Sequence, residues 1–322
     1  MRHLSAALAL LVVAAIGAGC SGTPQSPLTT SPTTASNGSP TVSTAPTRAS
    51  AQIVLPFTGL ENPQDVEVDS AGNVYVEDLH EFDDENGFPS ATTRVIRLAA
   101  GSNAPTVLPQ FVHASLVGDV AGHVWVVDAV SEQLVKLAAG PDRQAVLPLP
   151  NFGRQHGGGV LAMDTAGNAY SVVGGGVDAG GGCCVPVHVV KSAGPDAPTV
   201  LPFEYVDGLG GIAVDAAGSV YAGEGGRDRV LKLAAGADAP TALPFNHIDG
   251  LVDVAVDSAG SVYAVDANHK RVLKLAPGSD TPTTLPFTDL KHPVAVAVDN
   301  AGNVYVADVG NDRVLELAAE RS

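Results

Sequence analysis

One unit recurs along this chain of 322 residues and restricts its possible folds more than any other feature. Each copy starts with an alternating apolar segment that ends in an aspartate, followed by a tight turn and a second apolar segment. The turn aspartates are Asp69, Asp119, Asp164, Asp215, Asp257 and Asp299. Their spacings are 50, 45, 51, 42 and 42 residues. A period of about 40 residues that contains several short strands is typical of propeller blades.

The clearest copy shows four strand-like segments. Val254–Asp266 holds two apolar segments around an Asp-x-Ala-Gly turn, whose Gly can adopt positive φ. Arg271–Ala276 supplies a third segment and Thr284–Phe287 a fourth. The fourth contains a Leu-Pro pair in every copy, and proline, which has no N–H, is tolerated only in an edge strand. The fourth strand is therefore predicted to be outermost.

The number of segments predicts how the array closes. There are six copies of the first three segments, and the last copy ends near Ala319 without a fourth. There are also six Leu-Pro segments, but the first, Gln52–Phe57, precedes every copy. We therefore predict an all-β fold over residues 51–319. It is a six-bladed β-propeller closed in a three-plus-one arrangement, in which the N-terminal strand joins the last blade.

The N-terminal residues favour export. Residues 1–20 contain the apolar run Leu4–Ile16 and then small residues before Cys20, which resembles a bacterial lipoprotein signal peptide in which the Cys is lipidated. Gly17 departs from that pattern, where Leu is usual, and the alternative is a plain cleaved signal. Residues 21–50 are rich in Ser, Thr and Pro and are predicted to be a disordered tether. We expect a location on the outer face of the cytoplasmic membrane.

The charge limits the partners. A formal net charge of −17 disfavours nucleic acid and anionic lipid, so we expect membrane contact only through a lipid on Cys20. The expected partner is a protein, peptide or glycan of the cell envelope, bound by a monomeric propeller.

The repeats resemble the NHL repeat family. The residues that carry the resemblance are the Asp-x-x-Gly-Asn-x-Tyr-Val-x-Asp stretch at 299–308, together with Asn268–Val272 and Asn311–Val314. The Leu-Pro-Phe and Ala-Ala-Gly phrases are similar to the extracellular sensor propellers of mycobacterial receptor serine/threonine kinases. This resemblance implies extracellular recognition by an actinobacterial protein. It does not imply kinase activity, because the chain has no kinase motif.

The insertions lie on one predicted face. In an antiparallel four-stranded blade, the loops after the second and fourth strands emerge on the same side. Relative to the 42-residue copies, blade 1 gains 11 residues within 75–94, and blade 3 gains about ten within 170–188 and three within 149–164. All three insertions belong to that side, where recognition commonly resides. The alternative is neutral variation of exposed loops.

The candidate ligand-binding residues are polar residues of the loops that lead into first strands, close to the propeller axis. They are Asn62, Gln64, Asp65, His156, Asp207, Asp253 and His292. Charges that recur from blade to blade are interpreted instead as structural, pinning loops by charge-assisted hydrogen bonds. These are Asp128, Asp266, Asp308, Arg229, Arg271 and Arg313.

Two inserted segments carry weaker hypotheses. Asp83, Asp84 and Glu85 supply oxygen ligands suited to Ca²⁺ or another divalent metal, but their spacing fits no EF-hand and solvated acidic runs are common. Cys183 and Cys184 are interpreted as a possible disulfide, with an interchain bridge or free thiols as alternatives. No cofactor is expected.

These observations favour an exported, lipid-anchored binding or sensor module over an enzyme, because no nucleophile or metalloprotease motif occurs. The alternative is a metal-assisted lyase or hydrolase of the streptogramin-lyase type, with funnel histidines such as His156 and His292 as ligands. A third interpretation is a passive spacer.

Overall fold

A computed structural model describes the propeller. The described residues are 52–83, 89–112, 114–119, 121–128, 133–137, 143–148, 162–173, 188–193, 198–203 and 208–319. Within these ranges no helix is long and apolar enough to span a bilayer. The predicted signal peptide, the predicted tether and the adjacent Cys183 and Cys184 lie outside the described residues, as do Asp84, Glu85, His156 and Asp207.

The strands, numbered β1–β24 in chain order, form six antiparallel sheets of four strands each. The first strands of the blades are β2 (Pro63–Val68), β6 (Ala114–Gly118), β10 (Ala162–Met163), β14 (Leu209–Val214), β18 (Leu251–Val256) and β22 (Pro293–Val298). The second strands are β3 (Val74–Asp83), β7 (Val124–Asp128), β11 (Ala169–Val173), β15 (Val220–Glu224), β19 (Val262–Asp266) and β23 (Val304–Asp308).

The outer half of each sheet consists of the third and fourth strands. The third strands are β4 (Pro89–Leu98), β8 (Gln133–Leu137), β12 (His188–Ser192), β16 (Arg229–Leu233), β20 (Arg271–Leu275) and β24 (Arg313–Leu317). The fourth strands are β1 (Gln52–Val54), β5 (Thr106–Val112), β9 (Arg143–Pro148), β13 (Thr199–Val200), β17 (Thr241–Ala242) and β21 (Thr283–Thr284). Two short 3₁₀ turns lie at Gly225–Arg227 and Val309–Asn311.

The six sheets form a closed ring. The first strand of every blade contacts the first strands of both neighbouring blades, and β22 of the last blade contacts β2 of the first. First strands therefore surround the axis, and the predicted all-β propeller with six blades is confirmed. Apolar side chains fill the seams, so the core consists of successive clusters that each join two neighbouring blades.

The closure also follows the prediction. β1 pairs with β24 in antiparallel register from Gln52 opposite Leu317 to Val54 opposite Leu315. The next N–H, that of Leu55, donates to the carbonyl of Val314 at 2.9 Å. The side chain of Leu55 is buried among residues of blades 1 and 6. The N-terminal strand is therefore the fourth strand of the last blade.

The outermost strands are shorter than the sequence predicts. In blades 3 to 6 the pairing stops before the Leu-Pro-Phe sequence, because proline has no N–H to continue the ladder. At Leu285 the N–H still bonds Val272, and the Phe287 N–H then turns back to the Leu285 carbonyl at 2.9 Å. This turn aims the phenylalanine at the seam, where Phe287 packs against the core. The Leu-Pro-Phe sequence ends the strand and anchors it.

The turn aspartate organises each blade. In blade 6, Asp299 Oδ1 accepts the N–H groups of Ala301 and Asn303, both at 2.9 Å. Its Oδ2 accepts Asn303 Nδ2 at 2.7 Å and the Tyr305 hydroxyl at 3.2 Å. A tyrosine hydroxyl reaches the same aspartate in blades 1, 3, 4 and 5, and Trp125 takes the tyrosine position in blade 2. The motif is structural, because it recurs in every blade.

Blade 6, which closes the propeller, lacks the cation that lies over the aromatic ring of this motif in other blades. In blade 5, Lys274 Nζ lies 5.0 Å from the Tyr263 ring centroid and 3.9 Å from the turn aspartate Asp257. Blades 3 and 4 have the same arrangement. In blade 6 the position opposite Tyr305 is held by Glu316. Burial and the Asp299 charge raise the pKa of Glu316, because two carboxyl groups meet where blades 3, 4 and 5 pair a lysine with the turn aspartate.

The closure predicts a contrast between neighbouring residues. Leu55→Ala should lower the free energy of unfolding by about 2–3 kcal/mol, because it leaves a cavity at the seam. Val54→Ala, which truncates a side chain that is 56% exposed, should change it by less than about 0.5 kcal/mol. Urea unfolding measures both. Equal effects would contradict the core role of the Leu55 side chain at this closure.

Glu316→Lys should restore the arrangement of the other blades and raise the free energy of unfolding by about 0.5–1 kcal/mol, because a cation then meets both the ring and Asp299. The reciprocal Lys274→Glu in blade 5 should lower it. Thermal and urea unfolding check both variants. A loss of stability in Glu316→Lys would contradict this explanation of the blade 6 charge.

Candidate functional site

We call the side of the ring with the loops into first strands and between second and third strands the loop face. The two loop types touch within a blade. In blade 1 the N–H of Leu79 donates to the carbonyl of Asn62 at 2.9 Å, and in blade 6 the N–H of Val309 donates to that of His292 at 3.0 Å. The opposite side, which carries the Asp-x-Ala-Gly turns, is the turn face. The blade 1 insertion therefore lies on the loop face; the blade 3 insertions lie outside the described residues, and their position stays a prediction.

In blades 1, 5 and 6 a fully buried acid fixes the pair of loops. Asp308, at the end of β23, accepts the N–H groups of Lys291 and His292, both at 2.9 Å. It also accepts Asn311 Nδ2 at 2.7 Å and Arg313 Nε at 3.1 Å. Burial alone would raise the pKa of Asp308, but these hydrogen bonds lower it below the usual value. The carboxylate therefore stays charged and holds the loop.

The same pin recurs in other blades. Asp78 in blade 1 accepts the N–H groups of Glu61 and Asn62, at 3.0 and 2.8 Å, and pairs with Arg94. In blade 5, Asp266 pairs with Arg271 at 2.7 Å. The structural interpretation of these recurring charges is confirmed for Asp266, Asp308 and their arginines. Blade 4 uses a glutamate, Glu224, with Arg229; the side chain of Asp128 lies outside the described set.

The predicted ligand-binding residues divide into two groups. Asn62 and His292 lie in loops, and Asn62 Oδ1 accepts a hydrogen bond from Gln64 Nε2. Gln64, Asp65 and Asp253 lie inside first strands rather than in the loops that precede them. The loops are shorter than predicted because the first strand extends on both sides of a bulge. The bulge lies between Pro63 and Asp65 in blade 1 and at the same place in blade 5. Their role in ligand binding stays a prediction.

Asp65 and Asp253 belong to a group that we call the axial carboxylates, together with Glu67 and Glu77. Asp65 and Glu67 lie on β2 and Asp253 on β18, which surround the axis, and Glu77 lies opposite Asp65 on β3. Burial raises the pKa of Glu67 to about 8, that of Glu77 to about 7 and that of Asp253 to about 7. The pKa of Asp65 is raised by burial and then by the charges of Glu67, Asp253 and Glu77.

Sequence reasoning missed Glu67 and Glu77, although a signal for Glu67 exists. Glu67 stands two residues before its turn aspartate, where the other blades carry Val or Ala. Asp65 and Asp253 stand four residues before theirs, where described blades carry small residues such as Gly211 and Ala295. An acid at a repeat position where other blades carry small, inward-facing residues indicates a location near the axis. Glu77 shows no such signal, because its place becomes clear only from the pairing of β2 with β3.

The axial carboxylates reach across blade seams. Glu67 Oε1 accepts the N–H of Gly118 in blade 2 at 2.7 Å, and Asp253 Oδ2 accepts the N–H of Val296 in blade 6 at 2.8 Å. A Cβ at Gly118 would collide with the Glu67 carboxyl group, and a Cβ at Gly211 would collide with Asp253 Oδ1. The carboxyl groups thus occupy space that a neighbouring side chain would take. All four keep some accessible surface.

The insertion in blade 1 is an arm of regular structure. β3 and β4 remain paired beyond Asp78 and Arg94, as far as Asp83 opposite Pro89. His80 Nδ1 lies 2.7 Å from Glu61 Oε2, which ties the arm to the neighbouring loop. The ring of His80 also stacks on Phe82, with centroids 5.9 Å apart, and Phe82 is 42% exposed. The arm therefore presents an aromatic side chain to solvent beside the loop face.

The described residues contain no cluster of three or more His, Cys, Asp and Glu side chains arranged to hold a metal ion. The Ca²⁺ hypothesis at Asp83, Asp84 and Glu85 depends on side chains outside the described set and stays a prediction. The chemistry that the axial carboxylates offer by themselves is proton binding and the acceptance of hydrogen bonds.

The fold and the repeats place the chain among six-bladed β-propellers, and residues 290–317, in the last blade, match the NHL repeat family. A segment of 68 residues is 47% identical to serine/threonine-protein kinase PknD of Mycobacterium tuberculosis, in strains H37Rv and CDC 1551. That segment covers 20% of this chain and 9% of the kinase.

Solved structures share the fold at low identity. A gluconolactonase from Xanthomonas campestris superposes with a TM-score of 0.59 and 11% identity, over 84% of this chain and 89% of that one. A streptogramin B lyase gives 0.54 and 10%, over 85% and 99%. A propeller in a nidogen/laminin complex gives 0.53 and 17%, over 70% and 86%. At these identities the similarity concerns the fold alone.

Proposed function

We propose that this chain is a lipid-anchored binding or sensor module, exported to the cell envelope, that recognises a protein, peptide or glycan on its loop face. The observation that carries the proposal is the contrast between the two faces. The turn face repeats the same Asp-x-Ala-Gly turn in blade after blade, whereas the loop face carries the arm and, by prediction, the insertions of blade 3. A rigid frame with variable loops on one side is the usual arrangement of a recognition domain.

The comparison with PknD supports this class of function. The 47% identical segment belongs to a protein named as a kinase, but this chain has no kinase motif and the match covers a small part of that protein. What the two chains share is therefore propeller sequence, which supports recognition at the cell surface rather than phosphoryl transfer.

The pins explain how the loop face could bind a ligand without a large ordering cost. Asp78, Asp266 and Asp308 hold the loops into the first strands in fixed positions before any ligand arrives. A surface that is already ordered loses less conformational entropy on binding. The exposed Phe82 beside that surface adds an apolar contact of the kind enriched in interfaces. A metal-assisted lyase or hydrolase stays the alternative.

The arm provides the direct test. Replacing residues 79–93 by the four residues 267–270 of blade 5 should abolish capture of envelope components while the melting temperature stays nearly the same. In the shortened loop, Asp78 and Arg94 stay register partners at the strand ends, as Asp266 and Arg271 are in blade 5. Capture on the immobilised chain, followed by mass spectrometry, measures the result.

A control on the other side separates recognition from general damage. Ala216→Arg places a bulky charge in an exposed turn of the turn face and should leave capture unchanged. Unaltered capture by the shortened arm, or an equal loss in Ala216→Arg, would contradict recognition by the loop face.

The anchor is tested separately. Cys20→Ser should move the protein from the membrane fraction to the soluble fraction and should abolish labelling by a fatty-acid analogue, because the acceptor thiol is gone. Cys183→Ser with Cys184→Ser should keep both the label and the membrane location. A parent protein that takes up no label would overturn the anchor and leave the binding proposal standing.

A further inference from the structure

The axial carboxylates join parts of the ring that are far apart in sequence. Glu67 of blade 1 holds the N–H of Gly118 in blade 2, and Asp253 of blade 5 holds the N–H of Val296 in blade 6. Glu77 also faces blade 2, with Oε2 3.4 Å from the N of Leu116. Two seams of the propeller, between blades 1 and 2 and between blades 5 and 6, are therefore bridged by hydrogen bonds to partly buried carboxyl groups.

These carboxyl groups also act on one another across the axis. The charge of Asp253 influences both Asp65 and Glu67, although they belong to blades 5 and 1. The further charges that act on the group come from Glu77 and from Asp119, at the base of blade 2. All of them are negative, so ionisation of one member opposes ionisation of the next.

Among the described residues, no counter-charge comes from the strands packed around the axis. The first strands β6, β10, β14 and β22 carry no ionisable side chain in their described residues. On β3, Tyr75 lies opposite Glu67, and burial raises its pKa further above the physiological range, so it stays neutral. Asp119 is held by His123 at 2.8 Å and by Trp125.

We propose that the axial carboxylates form a proton-dependent lock on the propeller. With protons bound, the neutral carboxyl groups close the seams of blades 1 and 2 and of blades 5 and 6. When the protons leave to solvent, negative charges gather at the axis with no counter-charge on the described first strands, and the ring loses stability. No ligand or metal is needed for this response.

The direction of the effect follows from proton linkage. Buried carboxyl groups with a raised pKa hold protons in the folded chain that they release in the unfolded chain, where carboxyl groups titrate near pH 4. Their contribution to stability is complete at or below that pH and is lost as pH rises through about 7 to 8. Each proton held in excess by the folded state changes the folding constant about tenfold per pH unit.

Urea unfolding of the full chain at pH 5.5 and 7.5 tests the lock. Trp125, the one tryptophan of the sequence, is buried in blade 2 and reports unfolding by fluorescence. The parent chain should show a folding constant at least tenfold lower at pH 7.5. The variant D65N/E67Q/D253N, which replaces each acid by a neutral group of the same shape, should lose most of that dependence.

A matched variant controls for the overall negative charge. D238N/D280N removes two exposed carboxylates on third-to-fourth-strand turns and should keep the pH dependence of the parent chain. An axial variant that retains the parent dependence, or a control that loses as much of it, would overturn the proposal.

A second measurement needs no variant. Infrared spectra of the parent chain at pH 6 should show the carbonyl stretch of protonated carboxylic acids, because exposed Asp and Glu are ionised at that pH. The band should disappear as pH rises towards 9 and should be weaker in single variants E67Q and D253N. A folded parent chain without that band at pH 6 would contradict the proposed lock, even if the triple variant failed to fold.

Discussion

Ring closure is the constraint on which the other features depend. Each blade buries its sheet against two neighbours, so an open array would leave one apolar face of the first and last blades in water. Here the three residues of β1 and the side chain of Leu55 connect the N-terminal end of the propeller to blade 6. The first strands then meet around a complete circle, and only in that circle do the axial carboxylates approach one another.

Two sets of acids, the fully buried pins and the partly buried axial carboxylates, serve opposite purposes in this frame. The pins, such as Asp308, are surrounded by N–H donors and an arginine, and those partners keep the carboxylate charged despite burial. Asp65 and Glu67 have few donors, and the described charges that act on them are negative, so burial prevails and their pKa values rise. The same residue types therefore stabilise a loop in one place and bind protons in the other, and the difference lies in the number of donors around each group.

Much of the fold could be predicted because the residues that determine each strand and its ends lie within the repeat itself. The Asp-x-Ala-Gly turn, the alternating strands and the Leu-Pro pair each specify a strand end or an edge, and their number predicts the three-plus-one closure. The recurring Asp266 and Asp308 were interpretable for the same reason.

The candidate site was less accessible to sequence reasoning. The position of Gln64, Asp65 and Asp253 inside strands depends on bulges, which the sequence does not mark. The inward placement of Glu77 depends on its partner strand, and the arm of blade 1 needs pairing between residues that are not part of the repeat. These positions therefore depend on the register between paired strands, which the local sequence pattern does not specify.

The short strand β1 also has a mechanical consequence. The chain reaches the propeller at the rim of blade 6, where three residue pairs and one buried leucine hold it. A pulling force applied through the preceding residues would load those few hydrogen bonds before any other part of the ring. Tension from the N-terminal side would therefore act first on the pairing of β1 with β24, and with it on the closure of blade 6.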